Sequence, residues 1–510
     1  MELPVCLWET ACSGCSTFDF FCSVRLVCHR WSRMRYATKH VDQDNLCALD
    51  GMNKAKVFSR LIEAVDITMA GTRGHANLWK MSPNATSLRL WGLVDCDLEQ
   101  IVACCPRLRE LTTATGHLQS CPTETQIEVL GVCSVNDEVL GALAGMASLR
   151  QLTLSAWRTT LKLPRNQWRL FSGLPQLTAL CITNQHCRDC DLPHLASLVQ
   201  LSFLKLSLLL DSPSVHLAAL LKRLVALKSL SLQVAGVHEC LAEAVSSAKQ
   251  LTTLSISISK GSLNTTGLAA LAELEDLRLD GYSGPHFPLL CELPKLKKVY
   301  ALLSWIVRQP DGCSSIRVLE THTLMAEDWQ VVARLCPNLQ EMKLSLLSHQ
   351  SRQLNLSSMP QLRILLIHSS HDSDSELQAI SSLPNLEELS FPTASDDGLF
   401  SLCRLPLRHL ALTAWSHLGS AGAYRAIGAM SSLVKLALPG LSNADAFICH
   451  CDNIQTLTLG MGWISVEDVG RVVEMPRLQK LFLGPHLYRA YRALRCTTHV
   501  QVELFDKTTL

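Results

Sequence analysis

LTTLSISISKGSLNTTGLAALAELEDLRLDG, residues 251–281, holds two copies of one spacing: Leu251, Leu254 and Ile256, then Leu274, Leu277 and Leu279. Side chains alternate across a strand, so Leu254 and Ile256 share one face and Ser255 takes the other. Between the two copies, Leu268 and Leu271 keep helical spacing on a segment opened by Asn264 and Thr265, both favourable helix N-cap types. The unit reads as strand, turn, short helix, turn.

The same trio begins at Leu149, Leu177, Leu201, Leu227, Leu251, Leu274, Leu296, Ile316, Leu339, Leu362, Leu386, Leu407, Leu433, Ile454 and Leu478, at intervals of 20 to 28 residues. Poorer copies precede it near Leu88, Leu108 and Ile127, and Val500, Val502 and Leu504 close the series. The L-x-x-L-x-L spacing resembles a leucine-rich repeat, which implies an α/β solenoid, a horseshoe of roughly eighteen units over 85–510. Cys105 and Cys336 stand three residues before a strand leucine, where other units have Leu174, Leu293, Met359, Leu383 or Met475. A slot that accepts Cys, Leu and Met is a packing slot. Ser373 with Glu376 ahead of Leu377 and Ile380 reads as a capping box, and Asp396-Asp397-Gly398 opens another helix.

In the 510 residues, 46 Lys and Arg face 45 Asp and Glu, so no global field favours nucleic acid or an anionic membrane. With 48% hydrophobic but only 5% aromatic residues, the core is expected to be aliphatic. The longest apolar run, Leu201 to Leu210, contains Lys205 and is shorter than the roughly 18 residues a spanning helix needs. The start, MELPVCLWET, carries an acid where a signal peptide is positive. The expected compartment is the cytoplasm, with the nucleus also compatible. The 22 cysteines are scattered, as free thiols of a reducing compartment are.

The first 45 residues lack the repeat. Ser16 and Asp19 form a capping pattern ahead of Phe20, Phe21, Val24, Val27 and Trp31 at helical spacing. Together with Leu3-Pro4 and Leu7, the run Val24-Arg25-Leu26-Val27-Cys28-His29-Arg30-Trp31 resembles an F-box, over Leu3 to Met34. Ala11 and Cys15 stand where that family usually carries a bulky aliphatic residue. The resemblance implies a small all-α unit over 1–45 that docks a Skp-family adaptor, and through it a cullin, using Leu3, Pro4, Leu7, Leu26, Val27 and Trp31. Residues 46–84 read as linker and N-terminal cap of the solenoid, with Val65 to Thr68 as a first degenerate strand.

Candidate binding residues come from the outward slot between the last two leucines of each trio. In order it holds Thr153, Cys181, Lys205, Ser231, Ser255, Arg278, Tyr300, Glu320, Lys343, Leu366, Ser390, Ala411, Ala437, Thr458 and Phe482. Only its middle concentrates charge and aromatic surface. Positions just beyond add Asp280, Tyr282, Leu302, Trp305, His322 and His368. Arg278, Asp280, Tyr282, Tyr300, Trp305, Glu320, His322 and Lys343 are therefore the candidate partner-binding residues, aromatic and arginine side chains being enriched at hot spots. The bland alternative is a solvated sheet face with paired charges. Trp157, Tyr282 and Trp415 share a slot after the strand that fits covering of the next unit's core.

Cys12-x-x-Cys15 with Cys22, Cys28 and His29, and the lone pair Cys187-x-x-Cys190, have thiolate spacing suited to zinc. Helical periodicity already accounts for the first set and the second lacks a partner pair, so no metal is expected. No nucleophile elbow, phosphate-binding glycine loop or zincin motif is present, so neither an enzyme nor a cofactor is expected. The functional expectation is a non-catalytic substrate receptor of an SCF-type ubiquitin ligase whose repeats bind a target protein. The alternative is a repeat scaffold with no ubiquitin role.

Overall fold

The computed structural model describes residues 25–27, 64–68 and most of 85–504, with breaks that include 156–167, 259–265, 281–289, 302–308 and 348–355. They fall in two compact units, Met1–Leu271 with Gly281–His286, and Ala272–Asp280 with Phe287–Leu510.

In the first unit, the strands Ala64–Thr68, Ser87–Trp91, Glu110–Thr113, Val129–Val132, Gln151–Ser155, Ala179–Arg188, Phe203–Leu209, Ser229–Ala235 and Thr253–Ile258 pair in parallel, each with the next. Repetition of one spacing dictates this. Each trio's leucines need a cover, and stacking the next copy beside it supplies one while extending the ladder. Leu251, Leu254 and Ile256 are completely buried. The degenerate strand expected at Val65 to Thr68 is present as Ala64–Thr68.

Two local expectations are corrected. Arg25–Val27, read as helix from periodicity and as part of an all-α unit over 1–45, is a strand antiparallel to Ala64–Asp66. Local 3–4 spacing there yields to backbone pairing, because the first parallel strand otherwise presents an edge of unpaired donors and acceptors. The short helix after the template strand is a 3-10 turn, Thr266–Ala270, that still buries Leu268 and Leu271 fully. A Cβ on Gly267 would lie 3.0 Å from the Ala242 carbonyl oxygen, so the bare glycine lets this turn sit against the preceding coil. A small second sheet of Cys96–Asp97, His117–Ser120 and Ser134–Val135 has no counterpart in the sequence reading.

The second unit repeats the plan. Asp276–Asp280, Lys298–Tyr300, Val318–Leu324, Glu341–Leu347, Ile364–Ile367, Glu388–Phe391, His409–Leu412, Lys435–Leu438, Thr456–Leu459, Lys480–Leu483 and Gln501–Leu504 form a parallel ladder. As in the first unit, at Asp137–Ala144 and Val215–Arg223, the returning segments include true helices, among them Asp396–Ser401, Ala421–Ala429, Ala444–His450 and Val466–Val472. Ser395, Ser420, Asn443 and Ser465 cap them by accepting a backbone N–H three residues on. Two caps also tie coil to coil: the Ser395 hydroxyl donates to Asp374 at 2.7 Å, and that of Ser420 to Asp396 at 2.6 Å. Each cap satisfies a donor the helix leaves orphaned, worth about 1 kcal/mol.

Aliphatic side chains fill most of both cores, with aromatic pairs on the helical side: Trp168 with Phe171 in the first unit and Tyr424 with Phe447 in the second. Cys105 and Cys336 lie in the packing slot as expected, at 0% and 1% exposure. The repeat spacing, parallel register and inward leucines define a leucine-rich-repeat fold. Among the described residues, no helix is long and apolar enough to cross a membrane.

Candidate partner-binding face

Alternation along the second unit's strands sends Leu277, Val299, Leu319 and Met342 into the core, at 0 to 2% exposure, and their neighbours outward. The parallel register aligns those neighbours: Arg278 beside Tyr300, Tyr300 beside Glu320, Glu320 beside Lys343, and Lys343 beside Leu366. The slot read from the sequence is thus a physical row. Its first-unit part is a row too, Thr153, Cys181, Lys205, Ser231 and Ser255, with little charge or aromatic surface.

Arg278 places its guanidinium carbon 4.0 Å from the Tyr300 ring centroid. The Tyr300 hydroxyl lies 2.8 Å from His322 Nε2, with the two rings edge-to-face at 81°. The same nitrogen is 3.6 Å from Asp280 Oδ1. Farther along, Lys343 Nζ meets Glu341 Oε1 at 2.9 Å. Partial burial holds the Tyr300 phenol above its ordinary value, the Asp280 carboxylate adds to this, and the Arg278 cation opposes it. Lys343 is likewise raised, first by its hydrogen bond to Glu341.

Of the candidate residues, Arg278, Asp280, Tyr300 and His322 form one contacting cluster, and Glu320 and Lys343 continue it along the row. Tyr282 and Trp305 lie outside the described residues, as do Leu302, Trp157 and Trp415. Leu26 and Val27 stand on the Arg25–Val27 strand, and Leu3, Pro4, Leu7 and Trp31 lie outside the described residues. Sequence reasoning missed Glu341. The signal was available, since the residue two positions earlier in each strand also faces outward, giving the parallel row Asp276, Lys298, Val318, Glu341 and Ile364.

The cluster offers a ring face, a stacked cation, a carboxylate and half-exposed aliphatic surface on one sheet, a combination suited to gripping a surface. Among the described residues, no three or more His, Cys, Asp or Glu side chains converge as a metal site. The Cys187 thiol is buried and pushed well up, first by burial and then by Asp191, while Cys190 is exposed.

No protein-family model matches this sequence, and no curated protein matches it. Solved structures that resemble the fold include the TLR13–ssRNA13 complex, 15% identical over 87% of this chain and 81% of that one, with a TM-score of 0.44. A leucine-rich-repeat protein of Leptospira interrogans is 15% identical over 89% and 98%, with a TM-score of 0.36. The leucine-rich-repeat ectodomain of the Arabidopsis thaliana receptor kinase GASSHO1/SCHENGEN3, in complex with Casparian Strip Integrity Factor 2, is 14% identical over 83% and 56%, at 0.34. These are likenesses at low identity, and the fold assignment rests on the ladder and the leucine register.

Proposed function

We propose that this protein is a non-catalytic binding scaffold that holds a protein partner on the outward sheet face of its second unit, at Arg278, Asp280, Tyr300, Glu320, His322 and Lys343. The observation that carries the reading is the row itself: register aligns Arg278, Tyr300, Glu320 and Lys343, and contacts past the end of the short strand Lys298–Tyr300 add Asp280 and His322. A site built on strands is held more accurately than one on loops, and aromatic and arginine side chains are the types enriched at binding hot spots. Reversing charge at Arg278 and Lys343 tests it. Proteins that co-purify with the wild-type chain should fall away, while Arg425→Glu, exposed on the helical side, should keep them. Retention by the double variant would refute the assignment.

The sequence of Leu3 to Met34 favours a more specific version, in which the scaffold is the substrate receptor of an SCF-type ubiquitin ligase. The N-terminal segment then docks a Skp-family adaptor and a cullin, and the repeats hold a target so that its lysines lie near the ubiquitin-charged enzyme. Proximity supplies the rate, through effective concentration and not through chemical groups of this chain. Co-precipitation with the adaptor decides it: wild type should bind and a Leu26→Asp, Trp31→Asp variant should not. No association of wild type, where an authentic F-box protein binds, would leave only the general scaffold.

A further inference from the structure

We infer that Asp280, His322 and Tyr300 form a proton-operated contact, which changes what this face presents to a partner as pH crosses the histidine range. The consequence for binding rests on the function proposed above; the contact itself does not.

The geometry begins with a short strand. Lys298–Tyr300 has three residues, and its pairing with the next strand ends at Tyr300 beside Glu320. The strands on either side run farther, to Asp280 and Leu324. Past the end of the short strand, His322 and Asp280 reach each other, at 3.6 Å. Tyr300, the last residue of that strand, comes within 2.8 Å of the same ring nitrogen.

One nitrogen therefore faces two groups with opposite demands. A deprotonated Nε2 has a lone pair and accepts the Tyr300 O–H; a protonated Nε2 has a hydrogen and prefers the anionic acceptor, Asp280. The phenol stands at hydrogen-bond distance and the carboxylate beyond it; with its proton on Nδ1, the neutral ring is the tautomer in which Nε2 accepts the Tyr300 O–H. Protonation turns Nε2 into a donor toward Asp280. The Tyr300 hydroxyl hydrogen then loses its acceptor and swings out, where it can donate to a partner.

The other charged groups on the surrounding strands are Asp276, Arg278, Lys298, Glu320, Glu341 and Lys343. Lys343 is engaged with Glu341, and Arg278 lies over the Tyr300 ring. Asp280 is the carboxylate at His322 Nε2, and it decides the switch.

The test is nitrogen-detected NMR of the full chain with labelled histidine, His322 being assigned by the signal lost in His322→Gln. At pH 8 the wild-type Nε2 should be unprotonated. In the protonated ring the Nε2 proton should show a hydrogen bond that Asp280→Asn removes, and in the neutral ring the Nε2 signal should show an accepted hydrogen bond that Tyr300→Phe removes. A protonated Nε2 at pH 8, or nitrogen signals that neither variant changes, overturns the inference. Once a partner is in hand, its affinity should change at least about threefold between pH 7.5 and 5.5, and Asp280→Asn should flatten that change. If the His322 signals respond to the two variants as stated while no partner engages this face, the proposed function fails alone and the proton-operated contact stands.

Discussion

The guanidinium carbon of Arg278 lies 4.0 Å above the ring of Tyr300, its register neighbour on the adjacent strand. The cation gains the negative face of the ring, and the ring is held flat for whatever approaches from solvent. Such a pair at a partly exposed site is worth about 0.5–1 kcal/mol. A double-mutant cycle of Arg278→Ala and Tyr300→Leu, read by chemical denaturation, should return a coupling of about that size; additive effects would show that the stack carries no energy.

Phenol titration offers a check by pH. The Tyr300 pKa is raised by partial burial first and by Asp280 second. A group raised in the folded state contributes stability below its unfolded pKa and loses it as pH rises through the folded one. Difference absorbance between wild type and Tyr300→Phe should show the Tyr300 phenolate appearing only above the ordinary tyrosine range. Asp280→Asn should move it back down.

Thiol reactivity should divide the cysteines by slot. Burial pushes Cys105, Cys336 and Cys451 up to about 12, whereas Cys190, Cys291 and Cys449 are exposed. At pH 8 a thiol with that pKa is ionised roughly one part in ten thousand. Iodoacetamide followed by peptide mass spectrometry should label the exposed group at least a hundredfold faster, with the buried group labelled only after denaturation.

Two helical glycines should respond to alanine with opposite signs. A Cβ at Gly428 would run into the backbone carbonyl oxygen of His450 on the next coil, while at Gly470 it would meet nothing within 4 Å. Gly428→Ala should destabilise by about 1–3 kcal/mol through overpacking, and Gly470→Ala should stabilise by about 0.5–1 kcal/mol through helix propensity. Thermal unfolding of both variants measures this.

Thr321 takes a core slot that most repeats give to leucine. It is 1% exposed, and its hydroxyl has no hydrogen-bond partner. Thr321→Val removes an unsatisfied polar group at nearly constant volume, so stability should rise by about 1 kcal/mol. A fall would show that the hydroxyl finds a partner in solution.

The strands were legible because spacing alone specifies them. A trio at Leu274, Leu277 and Leu279 permits one alternation, and the outward slot predicted from it is the row of the structure, from Arg278 to Phe482. What escaped depends on contacts between coils. The turn at Thr266–Ala270 lies against the preceding coil, where Gly267 leaves room for Ala242, and Arg25–Val27 pairs with the edge of another strand. The meeting of His322 with Asp280 follows from the short strand ending at Tyr300, and strand ends are the least determined by local pattern.

Site-specific photo-crosslinking tests the binding face most directly. A crosslinking residue in place of Ser345, outward and exposed on the Glu341–Leu347 strand, is compared with one in place of Gln378, exposed on the helix Ser373–Ile380. The same partner should be captured from Ser345 and not from Gln378, and Arg278→Glu with Lys343→Glu should abolish the adduct. Capture from Gln378 alone, or from Ser345 unaffected by the charge reversals, would contradict a partner held by the Arg278–Lys343 row.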